Sequence, residues 1–264
     1  MDAADAVPLL VERYAARLYS LALRLCGHRA DAEDMVQDVF VNAFRKWPTF
    51  RGDADPGTWL YSIAARSCKA RMRRKGGTDR RMPAMSQVMP WRDRGVAAID
   101  LPDGDGEPAP VKASIAREAN EAVQRAIVSL PEHFRVPLVL KEMLELPIDE
   151  VAAAMGIKPE TVKTRVHRAR LMLRSAMMKR VPKRPAPEPA YDKRVCLDLL
   201  KAKLDAMDRG RGFPIGHEVV CERCRAVFAE LDLAQNACAG LAGGAMPAGV
   251  RNAILRAIRA EAAA

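Results

Sequence analysis

Near the C-terminus, Cys196 and the run His217-x3-Cys221-x2-Cys224 bring together three thiols and one imidazole, the complete donor set of a tetrahedral zinc site. A helix predicted from about Ile215 would carry His217, Cys221 and Cys224 at i, i+4 and i+7, all on one face, and Cys196 would close the site from the preceding helix. Four protein ligands leave no position for water or substrate, so such a site is structural or sensory rather than hydrolytic. A zinc enzyme would need an open metal position and a general base beside it, and the spacing arranges neither. Thiolate ligands also give the site a way to lose its metal, by oxidation of a cysteine. Cys238 lies outside the pattern and reads as a small apolar residue; Cys26 and Cys68 read as bystanders.

The second chemistry is electrostatic. A net charge of +10 and a pI near 9.6 point to an anionic partner, with nucleic acid the leading class. The basic side chains are concentrated in two places. Arg66, Lys69, Arg71, Arg73, Arg74 and Lys75 follow an apolar helix pattern, at a density that no helix needs for its own stability. The other concentration follows Gly156. There a short helix from Ile148 to Met155, a Gly156-Ile157 turn and a long helix opened by Pro159 have helix-turn-helix spacing, with Ala152 small where the helices cross. Val162, Val166, Ala169 and Leu173 form its buried stripe, which turns Thr161, Lys163, Thr164, Arg165 and Arg168 outward. Arg, Lys and Thr can pair with base edges or phosphates, so this face suits the major groove of DNA. A solvated basic helix in a bundle is the plainer reading, but it leaves the turn glycine and the small crossing residue without a reason.

The elements that position these groups read as all-α. Ala, Leu, Met, Arg and Glu dominate the 264 residues and aromatics reach only 5%, a balance that favours helices over sheets. Leu10, Tyr14, Leu18, Leu21 and Leu25 mark a first amphipathic helix over Leu9 to Leu25, stopped by Gly27. Asp31 stands where an N-cap belongs, and Met35, Val36, Val39, Phe40, Ala43, Phe44 and Trp47 give a second helix that Pro48 ends. After the loop 51–57, Thr58 opens a third helix with Trp59, Leu60, Ile63 and Ala64 directed inward, Trp59 as a core anchor. The chain then divides into a first helical domain (1–78), a flexible linker (79–113), a second helical domain (114–181), a stiff proline-rich linker (182–191) and a third unit (192–264). No run of about 18 apolar residues and no signal-peptide pattern is present, so the expected setting is the reducing cytoplasm, with no membrane partner.

Taken in order, Asp31-Ala-Glu-Asp-Met-Val-Gln-Asp-Val-Phe40, Phe50-Arg51, Trp59-Leu-Tyr-Ser-Ile-Ala64, Leu130-Pro-Glu-His-Phe-Arg135 and Glu160-Thr-Val-Lys-Thr-Arg-Val-His-Arg-Ala-Arg170 resemble the extracytoplasmic-function sigma factors. The resemblance spans about residues 7 to 180, apart from the linker. It implies no enzyme, but a factor that directs RNA polymerase to particular promoters and is a monomer outside the holoenzyme. The first domain would be region 2, docking on the β′ clamp helices and melting the −10 element. The second would be region 4, on the β flap, reading the −35 element with the helix from Pro159. Asp34, Gln37 and Asp38, at i, i+3 and i+4, would form the polymerase face. The loop containing Arg51 would capture a flipped base, and Arg66, Lys69, Arg73 and Arg74 would hold the opened strand. The family often has Asn and Asp where this chain has Arg66 and Ala70, which leaves its −10 base preference open.

Residues 193–260 resemble the zinc-binding anti-sigma domains, here fused to the factor. The tail Pro247 to Ala260, with Val250, Ile254, Leu255 and Ile258, is either a helix that clasps the sigma domains or a packing helix within its own module. Whether such a module inhibits or assists is open at this level. A helix-turn-helix regulator working without polymerase is the alternative, and it leaves the Asp31 to Phe40 and Trp59 to Ala64 motifs unexplained.

Overall fold

The computed structural model describes residues 2–53, 55–74, 89, 95–97, 109–179, 181–216, 218–241, 243 and 246–263, without the side chains of 69, 72–74 and 109–116. The first three helices are α1 (Ala3–Cys26), α2 (Arg29–Lys46) and α3 (Pro56–Arg74), with a single 3-10 turn at Trp47–Thr49. Asp2 caps α1 by accepting from the Asp5 N–H at 2.9 Å, so the helix starts earlier than the apolar periodicity suggested. Pro8 is tolerated because the hydrogen bond it forfeits would fall to Ala4 in the exposed first turn. Gly27 ends α1 in the left-handed region at φ 80°, its N–H returning to Leu23.

Two expected helix starts shift. Asp31 lies within the first turn of α2, where it faces the positive end of the dipole, and His28 occupies the cap position. Asp55 rather than Thr58 caps α3: its carboxylate accepts from the Gly57 N–H at 2.8 Å and from the Tyr14 hydroxyl at 3.4 Å. Trp59 packs with Trp47 and Phe50 at centroid distances of 6.0 and 4.9 Å, as a core anchor should.

The second group comprises α4 (Ala109–Ser129), α5 (Glu132–Met143), α6 (Ile148–Met155) and α7 (Pro159–Met178). Arg135 of α5 is buried at 3% exposure, and its guanidinium donates to the carbonyls of Leu25 and Val128 at 2.6 Å and of Leu130 at 2.9 Å. That bond satisfies an orphan carbonyl at the C-terminus of α1 and ties the first group of helices to the second. Thr58 adds another tie, donating to Glu150 of α6 at 2.7 Å.

The third group is α8 (Lys193–Asp208), α9 (Glu222–Gly240) and α10 (Ala248–Ala262). Asp192 caps α8 through the N–H groups of Arg194 and Val195, which matches the expected start of the unit. Added to the helices is a two-stranded antiparallel ribbon, β1 (Gly95–Ala97) with β2 (Lys183–Pro185), pairing Val96 with Arg184. It lies in the two segments read as linkers, and it is fixed to α9 where the Ala97 N–H donates to Glu230 at 2.7 Å.

The three groups share one core. A continuous cluster of buried side chains runs from Val7 and Leu18 of α1 through Ile127 of α4, Leu138 of α5 and Val166 of α7 to Ala234 of α9 and Ile254 of α10. A second cluster joins Leu171 of α7 to Leu200 and Leu204 of α8 and to Val227, Phe228 and Leu231 of α9. Among the described residues, no helix is long and apolar enough to cross a membrane.

Candidate nucleic-acid interface

The helix-turn-helix forms as its sequence demands. Gly156 stands in the left-handed region at φ 64°, its N–H closing onto Ala152 and Ala153, and α7 opens on Pro159 with Glu160 in its first turn. Val162, Val166, Ala169 and Leu173 are all buried. Of the residues expected to face outward, Thr164 is exposed, whereas Thr161, Lys163, Arg165 and Arg168 are half-buried. The Arg168 Nε is enclosed without a hydrogen-bond partner among the described residues. Arg165 lies near His133, where burial first and this positive charge second hold the imidazole below its ordinary value.

On α2, Asp34 and Asp38 are exposed and Gln37 is half-buried, so the three form an accessible polar face. Arg71 of α3 reaches across to it, 2.5 Å from Asp38 and 3.9 Å from Asp34. That interaction draws one member of the basic run away from the rest. Arg51 and Arg66 are exposed, the backbone of α3 continues through Lys69, Arg73 and Arg74, and the side chains of those three lie outside the described residues.

The sequence model of Sigma-70 region 2 matches residues 10–78, and that of Sigma-70 region 4 matches residues 120–173. The ECF RNA polymerase sigma factor SigW of Bacillus subtilis is 31% identical over 183 residues, which span 66% of this chain and 89% of that protein. The chain belongs to the ECF RNA polymerase sigma factors. The ECF RNA polymerase sigma-E factor of Escherichia coli is 34% identical over 61% of this chain and 81% of its own length. For SigE of Mycolicibacterium smegmatis the identity is 34%, over 64% of this chain and 61% of that protein. This sigma factor is therefore an alternative transcription initiation factor, not an enzyme, and α6 and α7 are the helix-turn-helix of its region 4.

Both family matches end before α8, and the thiol cluster lies beyond them. Among the described residues, no two cysteines form a disulfide. Cys224, in the first turn of α9, interacts with the sulfurs of Cys221 and Cys196, and burial in that setting pushes its thiol up to about 12. Burial works against the Cys221 thiolate too, but the N–H groups of Ala190, Cys224 and Arg223 outweigh it and hold the thiol below its ordinary range. Thiolates are the donor type zinc takes, but among the described residues the group whose ligand atoms all lie within 4.8 Å of one another is His167, Asp205 and Asp208, and the three thiols do not form such a group. His217 lies outside the described residues. The expected helix from about Ile215 does not form: α9 begins at Glu222 with Cys221 as its cap residue, so Cys221 and Cys224 stand at the very start of α9 and not one and two turns along a longer helix. Gly212, Pro214 and Gly216 break the chain just where the ligand spacing alone suggested a helix. A cavity of about 340 Å³ adjoins the cluster, lined by Tyr191, Leu200, Val227 and Phe228 with Cys196 and Cys224 at its wall. Cys238 is a core residue at 0% exposure, as its isolation from the motif suggested.

The residues that sequence reasoning missed are Arg170 and Arg174 of α7. Each is 2% exposed, and each carries a buried ion pair: Arg170 with Glu142 and Asp208, both at 2.6 Å, and Arg174 with Glu230 at 2.5 Å. With Lys163 and His167 they stand at i, i+4, i+7 and i+11, a second stripe offset by one residue from the apolar one. A helix with two stripes packs on two neighbours, and the spacing was the signal that could have found them.

Proposed function

We propose that this sigma factor docks on core RNA polymerase through α2, with Asp34, Gln37 and Asp38 toward the β′ clamp helices, and places region 4 on the β flap. In this reading the loop at Arg51 and the run Arg66, Lys69, Arg73 and Arg74 hold the opened −10 strand. Thr161, Lys163, Thr164, Arg165 and Arg168 of α7 read the −35 element. The factor is a monomer until it meets polymerase. Its C-terminal module binds zinc through Cys196, His217, Cys221 and Cys224 and, with the metal in place, keeps the factor inactive. Zinc bound there would supply folding energy to a small helical module and take no part in chemistry.

One observation carries the inhibitory sign: the module packs on both sigma domains at once. Val250, Ile254 and Ile258 of α10 enter the core against α1 and α2, with Glu261 bidentate to Arg45 at 2.6 and 2.7 Å and Arg251 paired with Glu12. At the other end, α8 and α9 pack on α7. In addition, α6 lies on α3, which region 2 needs for the −10 strand. A factor folded so tightly on itself must open to span two promoter elements.

Run-off transcription with reconstituted polymerase tests this on the full chain. The parent should carry stoichiometric zinc and transcribe weakly, and Cys221→Ser/Cys224→Ser should lose the metal and transcribe more. Unchanged transcription after confirmed metal loss would remove the regulatory role, and lower transcription would reverse its sign.

A further inference from the structure

The second stripe of α7 is met by carboxylates along its whole length. Lys163 lies 2.8 Å from Asp205, His167 2.7 Å from Asp208 and 3.8 Å from Asp205, Arg170 2.6 Å from Asp208, and Arg174 2.5 Å from Glu230. Glu142, the remaining partner of Arg170, belongs to region 4 itself; Asp205, Asp208 and Glu230 all belong to the C-terminal module. Asp205 and Asp208 sit at i and i+3 on α8, so one short helix face presents both carboxylates. Lys163 is shared between the two stripes, because it belongs both to the set expected on DNA and to the set held by α8.

We infer that the Asp205-Asp208 face of α8 is an internal competitor for the DNA-reading helix, its carboxylates standing in for backbone phosphates against Lys163 and His167. This deepens the reading of α7 as the promoter helix and rests on it. The chemistry is that of any phosphate contact: a lysine ammonium and an imidazole can meet a carboxylate or a phosphate, not both. Thr164 stays exposed and Arg165 and Arg168 are half-covered, so competition weakens DNA binding without abolishing it. By linkage, DNA bound to α7 loosens α8 by the same factor that α8 weakens DNA.

The test uses the full chain and a labelled random-sequence duplex, because the competition concerns the backbone and not the bases. Asp205→Asn/Asp208→Asn should bind the duplex about fivefold to tenfold more tightly than the parent, as expected for releasing the half-exposed Lys163–Asp205 pair and the largely buried His167–Asp208 pair. The salt dependence should steepen by about one phosphate contact or more. Glu118→Gln/Glu121→Gln, on the exposed face of α4, makes the same change in net charge and is the control. Equal gains in both double variants would overturn the competition. In the Asp205→Asn/Asp208→Asn background, adding Lys163→Ala should reverse the gain. If Lys163→Ala, Arg165→Ala and Arg168→Ala all leave duplex binding unchanged in that background, the promoter-helix reading falls and the competition falls with it. A measurement on the parent needs no substitution: hydrogen exchange of the α8 amides should accelerate on saturation with duplex, and unchanged exchange with DNA bound would also overturn the proposal.

Discussion

Glu230→Gln is the most direct probe of how the module is held. Glu230 of α9 is 4% exposed and serves two donors, Arg174 of α7 through Oε2 at 2.6 Å and the Ala97 N–H through Oε1 at 2.7 Å. Glutamine keeps the volume but offers one acceptor oxygen, so in either amide orientation one donor faces an NH2 group. The guanidinium, itself 2% exposed, also loses the charge of Glu230, and breaking a buried pair from one side costs up to about 3–5 kcal/mol. The cost should fall on the joint between region 4 and the module. Urea unfolding followed by far-UV circular dichroism, with hydrogen exchange resolved on α9, measures both its size and its place. Arg174→Met/Glu230→Leu removes both charges and should recover most of the loss. It need not recover all, because the Ala97 N–H remains without its acceptor, at about 1–3 kcal/mol. If Glu230→Gln unfolds within about 0.5 kcal/mol of the parent, or if the double variant is worse than the single, the ion pair is not what joins the two units.

Gly27→Ala should destabilise by about 1–2 kcal/mol from its φ of 80° alone, and by more because the new Cβ would lie 3.1 Å from both methyls of Val128; thermal unfolding reads this. Burial raises the Asp208 carboxyl, but the hydrogen bond from His167 and the charge of Arg170 outweigh it, leaving the group below its ordinary 3.8. A depressed folded-state value stabilises above the unfolded value and is lost as pH falls through the folded one. The contribution of Asp208 to stability should therefore be flat above about pH 5 and decline below 3.8, so the acid-side decline should be shallower in Asp208→Asn. Burial pushes the Cys68 and Cys238 thiols up to about 12. Both should resist iodoacetamide at pH 8 in the native chain and react once it is unfolded in urea; ready native labelling of either would show that its helix opens.

What was legible in the sequence was whatever local chemistry decides. Gly27, Gly156 and Pro159 fix helix ends by their own backbone preferences, and the structure has them where they were read. The apolar stripes of α1, α2 and α7 came through for the same reason. The start of α9 was misread because ligand spacing was allowed to overrule Gly212, Pro214 and Gly216, which favour a turn. The buried arginines were hidden for a different cause. Glu142, Asp208 and Glu230 lie 28, 38 and 56 residues from their partners, so nothing local names them. β1 likewise depends on β2, far along the chain, since Gly-Val-Ala has little strand preference of its own.

The packing of the tail helix is what supports its reading as a clasp, and energetics show what that reading means. Val250, Ile254 and Ile258 of α10 are buried in the shared core beside α1 and α2, outside the thiol cluster of the module. Burying three such side chains contributes about 5–9 kcal/mol at the usual transfer values, before the cost of ordering the segment. Association of two proteins at micromolar affinity supplies about 8 kcal/mol, so core polymerase competing for the same domains could open the closed form, though not by a wide margin. In the proposed reading, a module that lost the folding energy of a bound zinc would shift that balance by several kcal/mol toward opening. On the proposed reading, a clasp of this strength would keep the free factor closed and yet be decided by one further event. Ile254→Asp/Ile258→Asp should supply that event without touching the thiols. It should raise run-off transcription with zinc still bound, and a variant that keeps its metal, detaches α10 and transcribes no better than the parent would show that closure through α10 is not what restrains this factor.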